Sequence, residues 1–220
     1  MPVSIQKSTL DFLKDLRKHN DREWFQANKG RYQDALGNFT ALVGDLIDKI
    51  GAFDASVKKL SPEKCIFRIY RDTRFAKDKS PYKTHFGAHI IGDDKNCGKA
   101  GYYIHLEPGG SFLAGGVHMP EPDRLRGIRE DISGRGKFFL KIVGEKEFKK
   151  NFGEVQGEKL STRPKGFEKG DPMLSYLQFK DLIVRHEVDD KTLMKGDFTA
   201  QSTKIFRSMV PFNEFLNRSV

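Results

Sequence analysis

The sequence has little cysteine and no long apolar run. Two cysteines among 220 residues, Cys65 and Cys97, are too few for a disulfide framework. No apolar run approaches the roughly 18 residues that a membrane helix requires. The amino terminus also lacks the uninterrupted apolar region of a signal peptide. We therefore expect a cytoplasmic protein with no membrane partner.

Several motifs that mark large enzyme classes are missing as well. The chain contains no GxGxxG, GxxxxGK[ST], GxSxG, HExxH or CxxC pattern, so no cofactor is indicated. Wholesale disorder is excluded, because 37% of the residues are hydrophobic and 18 are Phe. These absences indicate a folded protein whose chemistry is not assigned by any of these motifs.

Positive charge is in excess, which favours anionic partners. Lys and Arg number 39 against 30 acidic residues, for a net charge of +9. The excess is densest from Arg68 to Lys83, where sixteen residues carry six cations and two acids. We call these sixteen residues the basic segment. Cations packed this closely repel one another unless something neutralises them.

The spacing of apolar residues predicts an α+β fold. Leu10, Leu13 and Leu16 indicate a short helix, Asn20 with Glu23 resembles a capping box, and a stripe from Phe25 to Ile50 predicts one long helix. From residue 65 the period becomes two. That alternation predicts strands at 65–71, 85–91, 101–107, 111–119 and 182–188.

The remaining segments complete this prediction. Residues 145–172 are polar and indicate loop with short helical turns, and a closing helix begins near Asp197. We expect one domain over residues 1–220, an antiparallel meander sheet with helices packed on one face, a long N-terminal helix and a C-terminal helix.

The polar face of this sheet is the predicted site. If the PGG turn closes a four-residue loop, Ala114 lies opposite His105 and Gly116 opposite Tyr103, which would leave space for a ligand. His105 and Glu107 are the candidates for proton transfer. A small anionic, phosphorylated ligand is expected to bind residues in and beside the basic segment. These residues are Arg68, Tyr70, Arg71, Asp72, Arg74, Lys77, Lys79, Tyr82, Lys83 and His85.

Other interpretations of the same residues stay open. Asp72 can pair with Arg71 or Arg74 and simply hold the loop. A set of five residues offers zinc ligands, although their spacing is weakly specific: His85, His89, His105, Glu107 and His118. Aromatic residues among cations are compatible with a nucleic-acid-binding module. They are Phe67, Tyr70, Phe75 and Tyr82. A third alternative is a protein-interaction module whose basic loop docks on an acidic partner.

Three stretches resemble a known family. NDREWFQANKGRY, FRIYRDTRFAKDKSPYKTHFGAHI and GYYIHLEPGGSFLAGGVHMPEP are similar to a widespread family of uncharacterised microbial and fungal proteins, a domain of unknown function. The resemblance covers most of the chain. It implies a cytoplasmic single-domain protein of mixed helix and sheet, and it implies no activity, cofactor or catalytic residue.

Overall fold

The structure is a computed structural model that describes residues 3–92 and 98–219. Cys97, one of the two cysteines, lies outside the described residues. The helices within these ranges are α1 (Lys7–Lys18), α2 (Arg22–Ala27), α3 (Lys29–Ile50), α4 (Pro62–Cys65), α5 (Pro122–Gly134), α6 (Gly136–Gly144), α7 (Lys146–Phe152), α8 (Leu174–Leu177), α9 (Asp190–Leu193) and α10 (Phe198–Leu216). The strands are β1 (Phe86–Ile90), β2 (Gly101–Leu106), β3 (Ser111–Val117) and β4 (Leu182–Val188).

The strands form one four-stranded sheet in the order β1-β2-β3-β4. Neighbours in the sheet follow one another along the chain, which is the order of a meander. The α+β class, the antiparallel meander, the long N-terminal helix and the C-terminal helix are thus confirmed. Within the described ranges, no helix has both the length and the apolar character needed to cross a bilayer.

Contacts divide the described residues into two compact units. The first unit contains residues 3–92, 103–113 and 187–204, and the second contains 98–102, 114–186 and 205–219. One domain over residues 1–220 stays a prediction.

The core of the first unit is formed by α1, α3 and β1. Leu13 and Leu16 of α1 are fully buried, and Phe39 of α3 stacks on Phe86 of β1 with ring centres 5.4 Å apart. The predicted helix from Phe25 to Ile50 is interrupted at Asn28, which separates α2 from α3.

The predicted capping box is wrong. Asp21 caps α2, because its side chain accepts a 2.8 Å hydrogen bond from the Trp24 N–H. Asn20 has a tertiary partner instead. Its amide donates to the Tyr82 carbonyl at 3.0 Å and accepts from the Tyr82 N–H at 3.1 Å. Asn20 therefore holds the backbone of the basic segment.

The predicted strand at 65–71 is also wrong. Cys65 ends α4, and the residues after it form only isolated bridges, one from Ile66 to Ala88 and one from Tyr70 to Tyr82. The segment folds back on itself, since the Arg71 N–H donates to the Pro81 carbonyl and the Lys83 N–H to the Ile69 carbonyl. Local pairing thus replaces a continuous ladder.

In the second unit, α10 packs on the sheet. Phe206 meets Tyr102 of β2 edge to face at 5.5 Å. Asn213 is buried and bonds to the backbone, accepting from the Gly116 N–H at 2.9 Å and donating to the Gly101 carbonyl at 3.0 Å. The predicted loop after residue 145 begins with a helix, α7, whose Phe148 contacts another aromatic ring of the same helix.

The glycines of β3 do not leave ligand space. A Cβ at Gly116 would lie 2.1 Å from the Leu182 carbonyl oxygen, and one at Gly115 would lie 2.7 Å from the Met209 sulfur. Protein atoms therefore occupy the space that the sequence suggested for a ligand. Gly116 also has a φ of +100°, a backbone conformation that favours glycine.

We expect Gly116→Ala to destabilise the protein by more than about 2 kcal/mol, because strain and overlap with the β4 backbone add together. Gly37→Ala is the control. Gly37 is exposed within α3 with open space around its Cα, so alanine there should stabilise by about 0.5–1 kcal/mol. Urea unfolding of both variants measures the difference, and equal stabilities would contradict the close approach at β3.

Candidate functional site

Three polar side chains of the first unit converge beside β2. His85 directly precedes β1, His105 lies in β2 and Glu107 directly follows β2, so the last two share a face of the strand. One nitrogen or oxygen atom from each lies within 4.8 Å of the others. We call these three residues the histidine–glutamate cluster. The His105 side chain is 12% exposed and that of Glu107 is 30% exposed.

Hydrogen bonds fix the orientation of this cluster. His105 Nε2 lies 3.2 Å from Glu107 Oε2, and its Nδ1 lies 3.1 Å from the Tyr103 hydroxyl. The other carboxylate oxygen, Oε1, accepts from Arg17 at 3.0 Å and from the Thr84 hydroxyl at 3.3 Å. Each carboxylate oxygen thus has its own partners.

Two rings lie close to the His105 imidazole. The His85 ring centre lies 4.2 Å away and the Phe112 ring stacks at 4.6 Å, inclined by only 13°. The expectation that Ala114 lies opposite His105 is therefore wrong. The turn is tighter than predicted, because the Gly110 N–H donates to the Glu107 carbonyl and β3 begins at Ser111.

The surroundings shift the protonation equilibria of the cluster. Burial, followed by the proximity of His105, lowers the pKa of His85 to about 4. Burial alone would raise the pKa of Glu107, but the hydrogen bond and charge of His105 and the charge of Arg17 outweigh it and lower that pKa. Burial raises the pKa of Tyr103 to about 12. At neutral pH the cluster thus contains a neutral His85 imidazole and a carboxylate, which can hold a cation or accept a proton.

The basic segment neutralises much of its own charge. Arg74 binds Asp72 through two nitrogens, at 3.0 and 2.7 Å, which agrees with the interpretation that Asp72 holds the loop. Arg71 pairs with Asp78, and the Lys79 ammonium donates to the Thr73 carbonyl at 2.9 Å. Hydrogen bonds from the Ser80 hydroxyl and N–H, and from Arg71, hold the pKa of Asp78 well below its usual range.

A cleft of about 290 Å³ opens between α2 and the basic segment, within the first unit. Its lining residues are Arg22, Gln26, Tyr70, Arg71, Thr73, Pro81 and Tyr82. One wall is fixed by Phe25, which stacks on Tyr82 with ring centres 4.0 Å apart. Arg22 and Gln26 lie one helical turn apart on α2, so they face the same side.

The structure distributes the predicted ligand-binding residues over several places. Tyr70, Arg71 and Tyr82 line the cleft, whereas His85 belongs to the histidine–glutamate cluster. Lys83 is half-buried, with its ammonium 5.6 Å from the Phe67 ring centre. The exposed members are Arg68, Asp72, Arg74, Lys77 and Lys79.

The two residues that α2 contributes to the cleft lining were not predicted from the sequence. Arg22 and Gln26 joined no predicted site, and only their helical spacing could have paired them. Of the other possible zinc ligands, His89 is half-buried and His118 is exposed, and neither belongs to the group that His105 forms with His85 and Glu107.

Most of the chain matches a known protein family. The family described as conserved hypothetical protein (DUF2461) matches residues 8–215. No curated protein and no solved structure matches the chain.

We expect Asp78→Ala to speed hydrogen exchange several-fold in residues 72–80, because it removes the acceptor that joins Arg71 to Ser80. The pKa of Asp78 is lower in the folded protein than in the unfolded chain. Its contribution to the stability of the folded state is therefore complete above the ordinary value of 3.8 and is lost as pH falls through the folded pKa. Exchange is therefore compared at pH 7. Asp34→Ala, at an exposed position of α3, should leave the segment unchanged, and equal exchange in both variants would contradict the self-paired loop.

Proposed function

The chain belongs to the DUF2461 family of conserved hypothetical proteins, and we propose that it binds a small anionic, phosphorylated ligand in the cleft beside α2. The observation that carries this proposal is the pair of arginines, Arg22 and Arg71, on the lining of one cleft. Guanidinium is permanently charged and planar, and it binds phosphate through paired hydrogen bonds.

The lining also supports recognition of the rest of such a ligand. Arg71 is held by Asp78 and by the Ser80 carbonyl, so its side chain loses little freedom on binding. The Tyr70 ring is half exposed and offers a flat apolar surface, and Thr73 adds a hydroxyl. A volume of about 290 Å³ lies at the lower end for small-molecule sites, which favours a monophosphate over a dinucleotide.

A chemical step is not part of this proposal. His105 and Glu107 stay the candidates for proton transfer, since their hydrogen-bonded pair could exchange a proton with a bound molecule. Neither residue belongs to the lining of the cleft.

Thermal unfolding with inorganic phosphate, ribose 5-phosphate and AMP tests the binding. A ligand at about 100 times its Kd stabilises by about 2.7 kcal/mol, which raises the Tm of a chain this long by about 5–10 °C. We expect that rise with at least one phosphorylated probe, and none with ribose or adenosine. Arg22→Ala should abolish it, whereas Lys29→Ala, which removes an exposed cation at the start of α3, should retain it.

A second, double variant locates the anion. Replacing Arg68 and Arg74 by Ala removes exposed cations outside the cleft lining, so the rise in Tm should persist. If the rise in Tm disappears in the double variant and survives in Arg22→Ala, the anion binds outside the cleft and the proposal is overturned. The proposal also fails if none of the phosphorylated probes raises the Tm of the parent.

One observation favours nucleic acid as a second candidate. The Phe75 side chain is 96% exposed and stands between Arg74 and Lys77 in the sequence, as a stacking platform for a base would. If this candidate is right, affinity for a single-stranded oligonucleotide falls steeply between 50 and 200 mM salt. Phe75→Ala should then weaken binding by about 10-fold or more. Fluorescence anisotropy measures both effects, and affinity unchanged by salt would reject nucleic acid.

A further inference from the structure

We propose that the histidine–glutamate cluster binds one divalent transition-metal ion, with zinc as the best chemical match. The inference concerns a different set of residues from the cleft, and it holds whether or not the cleft binds an anion. Two imidazoles and one carboxylate are a ligand set that zinc uses in proteins. Among the described residues, His85, His105 and Glu107 are the group whose ligand atoms come within reach of one ion.

The distances within the cluster fit a shared ion. Atoms bound to one zinc ion at about 2.0–2.2 Å lie about 3–3.5 Å from each other when the angles are near tetrahedral. His105 Nε2 and Glu107 Oε2 are 3.2 Å apart. A nitrogen of His85 lies within 4.8 Å of a ligand atom of each of the other two residues.

The Phe112 ring does not obstruct such an ion. It stacks on the His105 imidazole with ring centres 4.6 Å apart, inclined by 13°. A metal bonds to an imidazole nitrogen in the plane of the ring, at its edge. The Nε2 edge of His105 faces the carboxylate, because it lies 3.2 Å from Glu107 Oε2.

The outer partners match those of known metal ligands. A metal-bound histidine usually donates its second ring N–H to an oxygen, which fixes the tautomer. The Tyr103 hydroxyl occupies that position at His105 Nδ1, 3.1 Å away. Arg17 and Thr84 bind Oε1 of Glu107, so that Oε2 is the oxygen facing the imidazole.

The ring of Tyr103 packs closely against Gly87 of β1. A Cβ at Gly87 would lie 2.5 Å from the Tyr103 hydroxyl oxygen, so a larger residue there would displace the hydroxyl. The position of this outer partner is thereby set by backbone packing. Three protein ligands leave a coordination position for water or a substrate, as in catalytic zinc sites.

Titration of the full-length, EDTA-treated protein with ZnCl2 tests the proposal by calorimetry. We expect one ion per chain, and CoCl2 should give the visible absorption of a nitrogen- and oxygen-ligated cobalt ion. Tyr103→Phe removes an outer partner and should weaken zinc binding by about 10–100-fold. Glu107→Gln and His105→Ala each remove a ligand, so each should weaken zinc binding more than Tyr103→Phe does.

The control is His118→Ala, because His118 is an exposed histidine after β3 and should not affect the affinity. Circular dichroism and Tm identify any variant that fails to fold, and Tyr103→Phe keeps the ring packing and so provides a second test. Zinc binding that Glu107→Gln and Tyr103→Phe leave unchanged overturns the proposal. So does the absence of zinc binding, or equal affinity for MgCl2.

Discussion

The carboxylate of Glu107 is the contact on which the polar site of the first unit depends. One oxygen faces the His105 imidazole, and the other accepts hydrogen bonds from Arg17 of α1 and from Thr84 ahead of β1. The Glu107 N–H is also satisfied, by the Ser111 hydroxyl at 2.9 Å. A partly buried carboxylate is costly without such partners. The carboxylate therefore determines how a helix and two strands meet beside the imidazoles.

Two polar features of the first unit have opposite charge preferences. The histidine–glutamate cluster offers a carboxylate and a neutral His85 imidazole, which favour a cation. The lining of the cleft includes Arg22 and Arg71, which favour an anion. Asp72 pairs with Arg74, and Asp78 pairs with Arg71 of the cleft lining. Ion pairs within the folded basic segment therefore neutralise part of the positive charge that is dense in the sequence.

Period-two alternation predicted the strands β1 to β4 and placed His105 and Glu107 on one face, but it also predicted a strand at 65–71 that the fold does not contain. It could not supply the register of the turn, where a shift along the strand brings Phe112 rather than Ala114 against His105. Nor could it pair Arg22 with Arg71, because helix α2 and the basic segment are far apart in sequence and meet only by tertiary packing. Local patterns thus predicted elements and faces, whereas register and long-range contacts needed the fold.

The most direct test of the metal site is X-ray diffraction from crystals soaked in ZnCl2, with data collected on both sides of the zinc absorption edge. We expect an anomalous peak about 2.0–2.2 Å from a nitrogen of His85, a nitrogen of His105 and an oxygen of Glu107. A peak at another histidine with none at this cluster, or no peak at all, would contradict it.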